Sequence, residues 1–295
     1  IRLLIDKIEY RAKNGFEGEI LASGFQPLDD KIMGFFLKNQ SVIAARPGVG
    51  KTTVAVNILA NMAIRKNVPS LMISIEMDRE AIITKLFASE SGLPFKKLLT
   101  GELNNEDWEL FVTVGSKVAD APLYIDDISC SLHEIISSIR KAVNNFGVKF
   151  VVIDYLQIIE PDEDRLQRNE QIGKCTRTFM RLAKQLNIAI LVVSQLNRDS
   201  AKTEREPYLS DLKGSGDIEQ DAALVVLLHS NMNPSDEQLD VRDIDFIIAK
   251  NRNGGSLGKV KMTLRGPIHR IEPYVPIANW HLPKAENKQS HYEKE

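Results

Sequence analysis

The sequence predicts an α/β fold: a mostly parallel sheet with helices on both faces and an antiparallel extension near its end. Three observations carry that expectation. Between residues 41 and 193, short apolar runs alternate with segments of helical spacing, the pattern of parallel strands joined by helical crossovers. A glycine-bearing loop, Arg46-Pro47-Gly48-Val49-Gly50, separates the apolar run Val42-Ile43-Ala44 from a helical segment opening at Lys51-Thr52-Thr53. Further on, apolar runs at 244–249 and 260–264 flank Asn253-Gly254-Gly255, a hairpin signature.

At 295 residues, with 43% hydrophobic and 26% charged side chains, the chain is ordinary for a soluble globular protein. Its formal net charge of -2 advertises no basic surface, although a few loops lining a channel bind a nucleic-acid strand while the exterior stays neutral. The two cysteines, Cys130 and Cys175, belong to no metal-spaced cluster, which argues against zinc and for a reducing compartment. No apolar run approaches membrane-spanning length. The chain begins at Ile1 rather than Met and reads as a fragment lacking upstream sequence.

In chain order, residues 1–14 place Leu4, Ile5, Ile8 and Ala12 on one helical stripe, with Gly15 as the stop. That stripe packs either on its own domain or on a neighbouring subunit. Residues 17–39 read as a glycine-rich loop anchored by Phe25, Leu28, Phe35 and Phe36. A strand over 70–75 leads to Glu76, and Asp78 caps a helix over 79–91. Asn105 caps another helix, with Trp108, Phe111, Val112 and Val118 on one face. A short strand at 123–125 precedes the capping box at Ser131 and Glu134, which opens the next helix. The run Phe150-Val151-Val152-Ile153 ends at Asp154, a helix covers 169–186, and a strand over 188–193 ends at Ser194-Gln195. Residues 196–217 read as a long polar loop, and the stretch beyond Ile271 as a flexible tail containing Trp280.

Ligands of such sheets sit beyond the carboxyl ends of the strands. The stretch Arg46-Pro47-Gly48-Val49-Gly50-Lys51-Thr52-Thr53 is the candidate phosphate cradle. Its backbone N–H groups curl around phosphates, Lys51 reaches the β/γ-phosphates and the Thr52 hydroxyl ligates Mg²⁺. Ala45 stands where the usual pattern has glycine, a mild departure because Gly48 and Gly50 make the close approach. Asp154 is favoured over Asp126 as the Mg²⁺ carboxylate, because the β-branched run before it is longer. Glu76, an acid at a strand end, is the candidate base. Gln195 is placed to sense the γ-phosphate. Lys250 and Arg252 are either the cations one subunit lends to its neighbour's phosphates or two solvated charges on a hairpin. The Lys213-Gly214-Ser215-Gly216 loop either grips a phosphate backbone or is a turn capped by Asp217.

Six blocks occur in order: Ala44 to Thr52, Ser74-Ile75-Glu76-Met77, Val152 to Gln157, Ser194 to Arg198, Ser215 to Ala222 and Ala249 to Gly254. Over residues 24–271 they resemble the ATPase domain of the DnaB family of replicative DNA helicases, bacterial or phage. The resemblance implies a RecA-like P-loop fold and a homohexameric ring with ATP and Mg²⁺ at subunit interfaces. It also implies 5′-to-3′ movement on single-stranded DNA, a helicase loader and a primase as partners, no membrane association, and the bacterial or host cytoplasm. It assigns Lys51 and Thr52 to ATP–Mg²⁺, Glu76 to the base, Asp154 to Mg²⁺, Gln195 to the sensor, Lys250 and Arg252 to the trans-acting finger, and 213–216 to the DNA backbone.

Two departures stand out. Family members commonly have Arg-Glu where this chain has Lys213-Gly214, and the family's amino-terminal domain is not in this chain. The resemblance divides the chain into a linker helix (1–15), the ATPase domain (16–272) and a polar tail (273–295). Two other classes share the fold. A loader or scaffold without unwinding activity would show a defective base or finger, and neither defect is visible. A recombinase-like ATPase matches the six blocks less well.

Overall fold

The structure, a computed structural model, describes residues 1–16, 18–160, 167–197, 205–212, 215–230 and 241–274. Lys213, Gly214 and residues 275–295 of the expected tail lie outside them.

A nine-stranded sheet forms the centre. Its strands are β3 (Gln40–Ala45), β4 (Ser70–Ser74), β5 (Leu123–Asp126), β6 (Phe150–Asp154), β7 (Ala189–Gln195), β8 (Leu224–His229), β9 (Val241–Asn251), β10 (Gly258–Arg265) and β11 (Arg270–Pro273). They run in the order β11-β10-β9-β8-β3-β7-β6-β4-β5. The six strands from β8 to β5 are parallel, while β9, β10 and β11 add antiparallel neighbours at one side. The expected parallel sheet with an antiparallel extension is therefore the observed one.

Strand periodicity explains why both faces are covered. Ile43 and Ala45 of β3 enter one core while Val42 and Ala44 enter the other. Phe150 and Val152 alternate in the same way with Val151 and Ile153. The first core takes in α3 (Lys51–Ala60) and α4 (Arg79–Ser91). The second takes in α7 (Leu132–Phe146) and α8 (Arg168–Leu186). Every residue of α3 from Thr52 onward is buried, so the helix after the phosphate loop runs through the core rather than along its surface.

The capping expectations at Asp78 and Ser131 are met: Asp78 accepts from the Ala81 N–H at 2.7 Å, and Ser131 with Glu134 forms the reciprocal box. Several other expectations need correction. Residues 17–39 are not all loop, since they hold α2 (Gln26–Ile32) and a small antiparallel pair, β1 (Ile20–Leu21) with β2 (Phe35–Phe36). A short helix, α5 (Phe95–Thr100), was not anticipated. Asn104, not Asn105, caps α6 (Asn105–Asp120). The face of α6 that carries Trp108, Phe111, Val112 and Val118 is half open, with Trp108 50% and Val112 67% exposed. The amino-terminal helix α1 (Arg2–Asn14) ends at Gly15 as expected, and it leaves Ile5 and Ile8 about half exposed.

Candidate functional site

Strand register brings the expected residues to one edge of the sheet. Ala45 pairs with Gln195 across β3 and β7, Ser74 pairs with Asp154 across β4 and β6, and β6 lies beside β7. The phosphate loop, Gln195, Asp154 and Glu76 therefore share the carboxyl-terminal edge. Gly48 at φ 78° and Gly50 at φ 109° give the loop its curl, in a region that side-chain-bearing residues rarely enter. The Arg242 guanidinium holds the loop from behind, donating to the Gly48 carbonyl at 3.0 Å.

Four charges meet here. Lys51 Nζ lies 3.1 Å from Glu76 Oε2 and 4.4 Å from the centre of the Tyr155 ring. Asp154 is 1% exposed, and among the described residues neither of its carboxylate oxygens finds a hydrogen-bond partner. Burial pushes its carboxyl above the usual range, against the opposing pull of Lys51, the adjacent Thr52 hydroxyl and Lys85. Lys85, from α4, is depressed by burial while Asp154 and Glu76 favour its charge, and its Nζ lies 3.3 Å from Met77 Sδ.

A buried carboxylate with two unsatisfied oxygens is costly. Beside a phosphate cradle and a helix-start hydroxyl, that donor set fits a hard divalent cation. The site passes this test for nucleotide with a metal ion.

Lys250 and Arg252 are not part of this cluster. Lys250 pairs with Val225 and Asn251 with Leu224, at the end of β8 opposite to Leu228, which pairs with Ala45. That offset is about 13 Å of strand, at ~3.3 Å per residue. The two cations instead hold the last turn of α9 (Ser215–Asp221). Lys250 donates to the Glu219 carbonyl, and Arg252 Nη1 to the Gln220 carbonyl at 3.0 Å. Cations at a helix carboxyl terminus are favourable there. Burial and the adjacent Arg252 lower the Lys250 ammonium, opposed by Glu219 and Asp221.

Of the expected DNA loop, Ser215 and Gly216 form the first turn of α9. The helix rests on α8 through Arg177–Asp217 at 3.0 Å and Thr176 to Asp221 at 2.7 Å. Arg177 of α8 thus grips α9.

Lys85, Arg242 and Gln157 also contact this edge and are not among the candidates the sequence marks. Lys85 left a signal, a lysine between the buried Ile82 and Leu86 of α4. Gln157 carried none beyond its place in a motif.

This arrangement defines the class: a RecA-like, nucleotide-binding P-loop α/β domain. Residues 20–273 match the DnaB-like helicase C terminal domain family, and the chain belongs to that family. It is 33% identical over 279 residues to the replicative DNA helicase DnaB of Leifsonia xyli subsp. xyli (strain CTCB07), covering 94% of this chain and 61% of that protein. To the replicative DNA helicase DnaB of Buchnera aphidicola subsp. Baizongia pistaciae (strain Bp) it is 36% identical over 275 residues, covering 92% and 58%. The chain thus spans about three-fifths of these curated relatives. Among solved structures, an isolated ATPase domain superposes with a TM-score of 0.82 at 28% identity, over 93% of this chain and 98% of that one. A DnaB-like replicative helicase whose structure was described with its interactions with primase gives 0.80 at 27% identity, over 93% and 66%. Among the described residues, no helix is long and apolar enough to cross a membrane.

Proposed function

We propose that the chain is the motor domain of a replicative DNA helicase, in which ATP hydrolysis between subunits drives 5′-to-3′ translocation on single-stranded DNA. The observation that carries this reading is the division of the catalytic set. The phosphate loop, Glu76, Asp154 and Gln195 share one edge of the sheet, while Lys250 and Arg252 lie toward the other end of β8, where on this reading they serve a second copy's phosphates.

Lys51 and the 46–53 backbone hold the phosphates of ATP, and Thr52 with Asp154 would hold Mg²⁺, which would supply charge neutralisation to the phosphates when bound. Lys51 exchanges Glu76 for phosphate oxygen. The freed Glu76 carboxylate accepts a proton from the water that attacks the γ-phosphorus, and ADP leaves. Gln195 contacts the γ-phosphate, and Lys250 with Arg252 of the adjacent subunit stabilises the transferring group.

Gln195 is continuous with the proposed DNA loop. Leu196 bridges Leu212, and the Asn197 N–H donates to the Asp211 carbonyl at 2.8 Å, just before 213–216. On this reading residues 1–15 are a linker helix docking on the next of six subunits, 16–272 the motor and 273–295 a tail. A loader and a primase are partners, and the bacterial or phage-host cytoplasm is the compartment.

A forked-duplex assay tests the proposal. ATP-dependent release of the displaced strand by the chain, alone or joined to an amino-terminal domain, supports it. ATP-dependent DNA binding without strand release in either form would identify a loader instead.

A further inference from the structure

Gln157 lies three residues beyond Asp154, in the 3-10 turn Leu156–Ile158 that leaves β6. Its side-chain amide reaches across to the end of β7. Nε2 donates to Ser194 Oγ at 2.8 Å and to the Gln195 carbonyl at 3.2 Å, and Oε1 accepts from the Gln195 N–H at 3.0 Å. The orientation of the amide follows from chemistry, because a backbone N–H only donates and a carbonyl only accepts.

The register explains why a side chain is used here. Pairing of β6 with β7 stops at Ile153 and Val192, whereas on its other side β7 continues against β3 as far as Gln195 and Ala45. Past Val192, among the described residues, one flank of β7 has no strand beside it, and the Gln157 amide supplies both a donor and an acceptor to that flank. Gln157 is itself held: its carbonyl accepts from Arg168 Nη2, and the same guanidinium reaches the Ile159 carbonyl at 3.3 Å and Gln171 Oε1 at 2.9 Å. The turn after the metal carboxylate is thereby fixed to the backbone of the sensor strand.

We infer that Gln157 is a positioning residue for Gln195, setting where the sensor side chain meets the γ-phosphate. The inference rests on the reading of Gln195 as that sensor. Gln157→Glu is the sharpest probe. It keeps size and shape, removes both Nε2 donors and sets a carboxylate oxygen against the Gln195 carbonyl.

The test is steady-state ATPase of the full chain with single-stranded DNA, for wild type, Q157E, Q157A, Q195A and the Q157E/Q195A double variant, with Tm measured for each. The expected result for Q157E is a kcat lower by roughly 10- to 100-fold with KM for ATP within about twofold, since the loss is one of orientation and not of binding. Q157A should move the same way, which covers the case in which Q157E lowers Tm. The double variant should be no slower than Q195A, because the two residues act as one unit. Wild-type kcat in Q157E and Q157A beside an impaired Q195A would overturn the inference and leave the sensor reading standing. Multiplicative losses in the double variant would also overturn it. Wild-type kcat in Q195A would remove the sensor reading, and this inference with it.

Discussion

Lys51 is ion-paired to Glu76 at 3.1 Å, with the lysine side chain 13% exposed and the glutamate 47%. On the proposed reading the cation for phosphate and the carboxylate for water occupy each other, and phosphate binding breaks the pair and frees the base when substrate is present. Glu76→Gln removes Lys51's competing partner and a negative charge beside the phosphates. Binding of a fluorescent ATP analogue should hold or tighten, while phosphate release falls by about 10²–10⁴-fold. Lys51→Ala should lose binding itself. Normal turnover in Glu76→Gln would take Glu76 out of the role of base.

Arg252 caps the carboxyl terminus of α9 through the Gln220 carbonyl, and its own N–H donates to the Ala223 carbonyl at 2.8 Å. Its distance from the phosphate loop of its own chain makes the trans assignment testable by mixing. Arg252→Ala alone should lose about 10³–10⁵-fold in hydrolysis with nucleotide affinity nearly intact. Mixed with Glu76→Gln subunits, it should regain activity at interfaces that join an intact base to an intact finger. A mixture no more active than either parent would argue against a shared site.

What the sequence made legible was local. Asp154 and Gln195 close runs of β-branched residues, and strand register alone then brings them beside the phosphate loop. The pair β1–β2 was invisible because two-residue strands have no period, and their register, Ile20 with Phe36, is set by tertiary packing. The seven-residue α2 is too short for a clear stripe. On α6 the spacing of apolar residues did not reveal which of them a neighbour covers, and Trp108 is left half exposed. The resting contact of Arg252 was illegible for another reason: its partner is a main-chain carbonyl some thirty residues earlier, which no side-chain pattern announces.

Burial, Lys85 and Arg242 lower the His269 imidazole from its ordinary 6.5 to about 4, beneath a T-shaped contact with Phe95. Between those values the unfolded chain binds more protons than the folded one, so stability falls with acidification. The contribution is complete above about pH 6.5 and is lost as pH drops toward 4. Half-burial screens it to about 1–2 kcal/mol. His269 has a left-handed backbone at φ 48°, which asparagine tolerates better than most residues. In urea titrations from pH 7 to pH 4, His269→Asn should therefore lose less stability than the parent. An equal loss would place the acid sensitivity elsewhere.

Gly173 of α8 lies against Asp217 of α9 so closely that an added Cβ would stand 2.0 Å from Oδ2, 2.7 Å from Cγ and 3.1 Å from Cβ. Turning the carboxylate aside does not relieve contact with its own Cβ, and the carboxylate is also tied to Arg177. The strain of Gly173→Ala therefore falls on the placement of α9. Overpacking costs about 1–3 kcal/mol, and alanine returns ~1 kcal/mol of helix propensity, so the net loss of stability should be small. The displacement is directed, because α9 begins within the loop proposed to grip DNA. Fluorescence anisotropy with labelled single-stranded DNA should show affinity weakened by roughly 5- to 50-fold, about 1–2 kcal/mol, with affinity for an ATP analogue unchanged. Equal weakening of both ligands would indicate general loosening of the domain. Unchanged DNA affinity would separate α9 from the strand contact.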